Sequence, residues 1–103
     1  MISEDPVDLL ISMLEIESLS NQEMGLAEFL VERMNGLDIE AYIDEAGNAI
    51  GIKAGAPIEG GWRDLILLGH MDTVPGHIIV RTDEGKLFGR GAVDAKGPLA
   101  VFI

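Results

Sequence analysis

A histidine and an aspartate stand two positions apart in the stretch LLGHMDTVPG, residues 67–76, at the end of an apolar run. Side chains at positions i and i+2 of an extended chain point the same way, so the Asp72 carboxylate can reach one ring nitrogen of His70. Imidazole is the commonest metal ligand among side chains, and a carboxylate behind it fixes the ring and raises its basicity. Alone, this H-x-D pattern also fits a histidine that merely bonds a neighbouring acid.

A second candidate ligand lies in the stretch GRGAVDAKGP, residues 89–98, where glycines surround Asp94 in a loop that enters a helix. Glycines permit a close approach of the backbone to a site, and one carboxylate can bridge two metal ions about 3.5–4 Å apart. We therefore expect His70 and Asp94 to share a metal site. With metal bonds near 2.1 Å, an imidazole nitrogen and a carboxylate oxygen should lie about 3–4 Å apart.

Other glycine-rich sites fit the second stretch poorly. A phosphate loop requires G-x-x-x-x-G-K-[ST], but Lys96 here precedes Gly97, and a dinucleotide fingerprint requires glycine where Asp94 stands. Anion binding at the following helix N-terminus stays open. We expect His77 to be a solvated loop residue, and Arg90 and Lys96 to pair with Asp94 or another acid more readily than with a substrate carboxylate.

The elements that must position these residues begin with two helices. Asp5 and Pro6 are typical of a helix start, and Val7, Leu10, Ile11 and Leu14 follow one buried stripe. A capping box of Ser20 and Glu23 predicts a second helix, with its own stripe of Ala27, Leu30, Val31 and Met34 and an end at Gly36. Three methionines at helical spacing are expected to fill the core: Met13, Met24 and Met34.

From residue 37 the hydrophobic pattern changes to the alternation of apolar and polar residues that is typical of strands. Residues 37–43 and 47–54 are predicted to form one hairpin, and residues 78–88 a second that turns at DEG. Residues 64–70 are predicted to form a strand. Positions 65–68 are apolar on both faces, as in a central strand covered by helices, and His70 lies just past the strand end. Trp62 is expected in a loop packed on the sheet. Pro98 marks the first turn of a last helix.

Composition narrows the classes of function. The net charge is −11, and residues 1–52 hold twelve acidic side chains against the single Arg33. Such a surface repels phosphate backbones, so nucleic acid is not an expected partner, and no apolar run is long enough for a membrane span. Cysteine is absent, which excludes disulfides and thiolate metal sites. The N-terminus is not typical of a signal peptide. A cytoplasmic protein fits best.

The two stretches together resemble the signature motifs of the zinc-dependent co-catalytic amidohydrolases and exopeptidases. This family includes acetylornithine deacetylase, succinyl-diaminopimelate desuccinylase, aminoacylases and dipeptidases. GHMDTVP is similar to its first motif and GRGAVDAKG to its second, in the right order and separation. GAVDAKGP is most similar to the branch of acetyl-lysine and acetylornithine deacetylases, which includes hydrolases that release lysine or ornithine from an amino-group carrier protein.

The resemblance implies a fold and a site. Residues 1–103 would be the N-terminal part of an α/β catalytic domain, a mixed sheet with helices packed on it, and the rest of that domain and a dimerisation domain would be absent. His70 and Asp94 would bind two divalent ions, zinc or else cobalt, with Asp94 bridging. Asp72 would be a catalytic-site residue that orients His70. The peptide bond after Asp94 would be cis.

The resemblance also implies a reaction and its partners. The intact protein would be a cytoplasmic homodimer that hydrolyses the amide bond of an N-acylated amino acid, or of lysine or ornithine on a carrier protein, in lysine or arginine biosynthesis. The general base and further ligands would lie beyond residue 103, so the fragment alone is expected to be inactive. A dipeptidase or aminoacylase, a non-catalytic interaction module of the same fold, and a single-metal phosphoesterase remain alternatives.

Overall fold

Helix α1 runs over Pro6–Glu15 in the computed structural model, which describes residues 5–53 and 66–103. Asp5 caps it, because its Oδ1 atom accepts a hydrogen bond of 2.8 Å from the amide of Val7. Of the predicted stripe, Leu14 is buried and Leu10 packs against the core, but the rest of the buried face differs. Leu9 and Met13 are buried while Val7 is 55% exposed. The apolar run LLISML fits two stripes, and the one that faces the core contains Leu9 and Met13, at i and i+4.

Helix α2 runs over Met24–Gly36 and begins later than the capping box predicted. Ser20 does not cap it, since the Ser20 hydroxyl donates to Asp72 instead. The predicted stripe is largely confirmed, because three of its four members are buried, namely Ala27, Leu30 and Met34. Leu26, which is not part of the stripe, is buried as well. Met24 lies in the first turn and is 50% exposed, so its assignment to the core is wrong.

Both predicted hairpins are present, with shorter strands than expected. Strands β1 (Glu40–Ile43) and β2 (Ala49–Ile52) pair antiparallel and pack on α2. Strands β3 (Arg81–Asp83) and β4 (Lys86–Phe88) pair antiparallel around Glu84 and Gly85, both at positive φ. Positive φ at two consecutive residues is the geometry that a tight hairpin turn requires.

The predicted central strand is not formed within the described residues. Residues 64 and 65 lie outside them, as does Trp62, and residues 66–70 pair with none of the described strands. Leu68 is 85% and Ile66 75% exposed. A strand is defined by backbone hydrogen bonds to a neighbouring strand, and residues 66–70 have no such neighbour among the described residues.

The core forms where the three helices meet. Helix α3 (Gly97–Phe102) carries Pro98 in its first turn, as predicted, and packs on α1. Ala100 joins the buried cluster, whose other members are Leu9, Met13, Leu26, Leu30 and Met34. The expected α/β class is confirmed, with helices packed beside small sheets. Across the described ranges, none of the helices has the length and apolar character to cross a membrane.

Candidate metal centre

Two short segments that are distant in the sequence lie side by side at the site. The amide of Thr73 donates to the carbonyl of Ser18 at 2.8 Å, and the Ser18 hydroxyl donates to the carbonyl of Met71 at 2.7 Å. Leu19 and Thr73 form a parallel bridge. Ser18 is fully buried, so these bonds are shielded from water. They fix residues 71–73 directly after His70 and place Ser20 opposite Asp72.

His70 lies between two aspartates. Its Nδ1 atom is 3.0 Å from the carbonyl oxygen of Asp72 and 3.2 Å from the Oδ1 atom of the same residue. On the other side of the ring, Nε2 is 2.8 Å from Oδ1 of Asp94, which is shorter than the predicted separation of about 3–4 Å because the two groups are hydrogen-bonded directly. The hydrogen bond to Asp94 and then the one to the Asp72 backbone raise the pKa of the imidazole above its usual 6.5. The ring therefore presents Nε2 towards the Asp94 carboxylate.

Asp72 divides its two carboxylate oxygens between two partners. Oδ1 faces His70, and Oδ2 accepts a hydrogen bond of 2.6 Å from the Ser20 hydroxyl. That hydrogen bond, followed by the proximity of His70, holds the pKa of Asp72 below its usual 3.8. The carboxylate is thus ionised at neutral pH and suited to accept the Nδ1 proton of His70.

Asp94 is presented by a tight turn over Ala92–Lys96, which Gly91 opens at a φ of 84°. The Lys96 amide donates to the carbonyl of Gly91 at 2.9 Å, which closes the turn. The Asp94–Ala95 peptide bond is cis, as the resemblance implied. The Asp94 side chain is 88% exposed, so its second oxygen is accessible from the cleft.

Lys96 does not form the expected salt bridge. Its side chain is buried, and Nζ donates to the carbonyls of Met13 at 2.9 Å and Ile16 at 2.7 Å, at the end of α1. Carbonyls at a helix C-terminus lack helical partners, and a cation is favourable there. Burial lowers the pKa of the Lys96 ammonium, while nearby Glu17 opposes this effect. The amine fixes the Asp94 turn to α1.

Arg90 also departs from the expectation of a salt bridge, because its Nε donates to the carbonyl of Gly76 at 2.8 Å. Arg90 also lines the cleft at His70, which has a volume of about 270 Å³. The other residues that line this cleft are Ser20, Asp72, Thr73, Val74, Gly91 and Asp94. A neighbouring cleft of about 400 Å³ contains Glu15, Glu17 and His77 and shares Arg90 with the first. His77 is exposed, as expected of a loop residue.

The structure brings together the three residues that the sequence singled out, His70, Asp72 and Asp94. Between residues 5–53 and 66–103, no group of three or more histidine, cysteine, aspartate or glutamate side chains is arranged to hold a metal ion. The described chain therefore offers a pair of candidate ligand atoms, Nε2 of His70 and a carboxylate oxygen of Asp94, rather than a complete site.

Sequence reasoning missed the contribution of Ser20 and Lys96. Ser20 fitted a helix cap, so its partner in another segment was not sought. Lys96 was expected to pair with an acid or a substrate carboxylate, and not with backbone carbonyls. The sequence contained one signal for Ser20. Ser18 and Ser20 are two residues apart, as are Met71 and Thr73, and side chains two apart on an extended segment point to the same side.

Comparison with known proteins gives a consistent result. Residues 66–103 match the sequence profile of Peptidase family M20/M25/M40. Proteins of Pyrococcus furiosus and Thermococcus kodakarensis, both provisionally named LysW-lysine/LysW-ornithine hydrolases, are 49% and 47% identical over 99% and 97% of this chain. The LysW-lysine hydrolase of Deinococcus radiodurans is 48% identical over 93% of it.

The chain spans 30%, 28% and 25% of the lengths of these three relatives. Hydrolases of the matched family are generally metal-dependent, which agrees with the nitrogen and oxygen atoms that meet at His70 and Asp94. With its two motifs folded against one another and this degree of identity, the chain is similar to Peptidase family M20/M25/M40 over residues 66–103 and fits the N-terminal part of a hydrolase of that family.

Proposed function

We propose that the protein containing this chain is a metal-dependent hydrolase that cleaves the amide bond of an N-acylated amino acid. Its preferred substrate is lysine or ornithine linked to an amino-group carrier protein. The observation that carries the proposal is the 2.8 Å separation of His70 Nε2 and Asp94 Oδ1 at the wall of a cleft. The names of the relatives support the choice of a carrier-linked substrate.

The residues present fit a divalent metal ion. An imidazole nitrogen and a carboxylate oxygen are ligands that zinc accepts, and cobalt accepts the same pair. Both side chains are accessible from solvent, His70 at 49% and Asp94 at 88%. In the proposed site, His70 and Asp94 would hold the metal ions. When bound, such ions polarise the amide carbonyl and make water a nucleophile at neutral pH.

Each residue of this chain has a defined task in the proposed reaction. The carbonyl of Asp72, at 3.0 Å, and its carboxylate, at 3.2 Å, both face Nδ1 of His70, so with metal bound the ring proton would stay on Nδ1 and the lone pair of Nε2 would face the ion. Asp94 contributes negative charge at the cleft wall. The turn beside it is fixed to α1 through Lys96. The general base is proposed to lie outside residues 1–103, which form the N-terminal part of the catalytic domain. We therefore expect these residues alone to be inactive.

Charge affects how a carrier protein would dock. Residues 1–52 carry twelve acidic side chains against one basic side chain. Like charges across an interface slow association and oppose binding, so an acidic carrier would dock on another surface of the intact protein. On the basis of the family resemblance, we also propose that the intact protein is a cytoplasmic homodimer.

The test is hydrolysis by the full-length protein of carrier-linked lysine, compared with free N-acetyl-lysine. We expect a chelator to abolish release of lysine from the carrier, and zinc or cobalt to restore it. His70→Ala should remain inactive in excess zinc, whereas His77→Ala, the matched change at an exposed histidine, should be active. Chelator-resistant hydrolysis would contradict the metal role. Cleavage of the free substrate alone would indicate an aminoacylase, and cleavage of neither would favour a non-catalytic module.

A further inference from the structure

The side chain of Ser20 lies one hydrogen bond behind the carboxylate that faces His70. We propose that Ser20 is a positioning residue: its hydroxyl fixes Asp72, and through Asp72 it fixes the imidazole of His70 for metal binding. This inference rests on the proposed function, because it concerns the same site. It adds a residue from the segment between α1 and α2 to a site otherwise made by residues 70–94.

The geometry gives Asp72 a partner for each oxygen. Ser20 Oγ donates to Oδ2 at 2.6 Å, and Oδ1 lies 3.2 Å from His70 Nδ1. A carboxylate held at both oxygens cannot rotate about its terminal bond without breaking one of these contacts. This carboxylate and the Asp72 carbonyl, which lies 3.0 Å from Nδ1, together leave His70 Nε2 directed at Asp94. Hydrogen bonds to an ionised acceptor are short and about twice as strong as neutral ones.

The position of Ser20 is fixed by backbone pairing. Residues 18–20 run beside residues 71–73, joined by the bond from the Thr73 amide to Ser18 and by the Leu19–Thr73 bridge. The buried Ser18 hydroxyl adds a bond to the carbonyl of Met71. Ser20 therefore reaches Asp72 from a segment whose backbone is itself attached to residues 71–73.

The arrangement differs from a nucleophilic triad, although it contains a serine, an aspartate and a histidine. In a triad the serine hydroxyl donates to the imidazole, which removes its proton, and the aspartate lies behind the imidazole. Here the Ser20 hydroxyl donates to Asp72 rather than to His70. The Ser20 hydroxyl is directed at the Asp72 carboxylate and not at an imidazole, so the geometry assigns it to holding the carboxylate and not to attack on a substrate.

Loss of the hydroxyl should weaken metal binding without unfolding the protein. Outer partners of a metal-bound histidine typically contribute about 10 to 100-fold in affinity or activity, and Asp72→Ala is expected to fall in that range. Ser20 is one bond further out and water can partly replace it. We expect Ser20→Ala to weaken zinc affinity by about three- to tenfold, below the Asp72 effect.

The experiment measures zinc affinity of the full-length protein by competition with a chelator, in parallel with thermal unfolding of the metal-free protein. Ser20→Ala should lose affinity at an unchanged unfolding temperature, and Ser20→Thr, which keeps the hydroxyl, should recover most of it. Ser12→Ala is the matched control, because Ser12 lies in α1 and is not part of the cleft wall. It should bind zinc as the unmodified protein does.

Three results would overturn the inference. Normal affinity in Ser20→Ala, with Asp72→Ala weakened, would show that Asp72 needs no such support. Equal losses in Ser20→Ala and Ser20→Thr would assign the effect to local packing rather than to the hydroxyl. Normal zinc affinity in His70→Ala would remove the proposed function itself, and the role of Ser20 with it. The first two results would leave the proposed function intact.

Discussion

Nε2 of His70 lies 2.8 Å from Oδ1 of Asp94, although the two residues are 24 positions apart in the chain. The contact joins the end of an apolar run to a glycine-flanked turn. Lys96 fixes that turn to α1, and the Ser18–Met71 and Ser18–Thr73 bonds fix the segment that follows His70. The proximity of the two candidate ligands is therefore supported from both sides by contacts with the first helical region.

Gly91→Ala should weaken metal binding. Gly91 has a φ of 84°, and a Cβ there would lie 2.6 Å from Cγ2 of Thr73, beside the cleft. The left-handed conformation alone should destabilise an alanine variant by about 1–2 kcal/mol. Gly85→Ala is the matched control, because Gly85 has a φ of 76° and open space around it. Both variants should unfold at lower denaturant concentration, but only Gly91→Ala should lose zinc affinity. Equal zinc affinities in the two would contradict the role of this turn.

Lys96→Met should lower the free energy of unfolding by about 1–3 kcal/mol, because the buried carbonyls of Met13 and Ile16 lose their side-chain donor. Denaturant unfolding of the full-length protein measures the change. Lys86→Met, at an exposed position of β4, should stay within about 0.5 kcal/mol of the unmodified protein. If the two methionine variants were equally stable, Lys96 would not be the structural link described.

Asp44 should make the β1–β2 turn sensitive to acid. Its carboxylate accepts hydrogen bonds from the amides of Ala46 and Asn48 and from the Asn48 side chain. These bonds, that of the Asn48 side chain foremost, hold the pKa of Asp44 below its usual 3.8. The ionised form therefore stabilises the fold above the unfolded-state pKa, and this contribution is lost as pH falls through the lowered value.

Amide exchange in residues 44–48 tests the effect of Asp44. The turn should be protected at neutral pH and lose protection in acid, and Asp44→Asn should lack this acid-dependent step. Glu45→Gln removes a charge from the same turn without removing the three hydrogen bonds, and it should behave as the unmodified protein does. An identical acid response in Asp44→Asn would rule out Asp44 as the source.

Asp72→Ala should reduce zinc affinity or turnover of the full-length protein by about 10 to 100-fold, because His70 would lose the carboxylate 3.2 Å from its Nδ1 atom and keep only the backbone carbonyl of residue 72 there. Chelator competition gives the affinity, and initial rates of lysine release give the turnover. An Asp72→Asn variant keeps the shape of the side chain but not its charge. Its zinc affinity and turnover should lie between those of Asp72→Ala and those of the unmodified protein. A fully active Asp72→Ala protein would reduce Asp72 to a surface residue.

Local signals in the sequence predicted much of the fold. The Asp5 cap, the end of α2 at Gly36 and both hairpins depend on residues close together in the chain, where propensity and turn chemistry act directly. The buried face of α1 was harder to predict, because its apolar residues fit more than one stripe. Packing against α3 and the Asp94 turn selects between them, and a one-dimensional pattern does not contain that information.

The candidate site was predictable in part. His70, Asp72 and Asp94 carry side chains whose chemistry points to metal, the glycine-flanked loop indicated that His70 and Asp94 share a site, and the family resemblance implied the role of each. Ser20 and Lys96 act through partners 52 and 80 or more positions away. Their residue types have many ordinary uses, a helix cap and a surface charge among them. Only the three-dimensional arrangement shows that each supports the site.

The central claim is that His70 and Asp94 bind a common metal ion. The most direct measurement is a crystal structure of the full-length protein with zinc, with the metal located by its anomalous scattering. We predict an ion about 2.0–2.2 Å from both Nε2 of His70 and a carboxylate oxygen of Asp94. Zinc bound elsewhere, with His70 and Asp94 still hydrogen-bonded directly to each other, would contradict it.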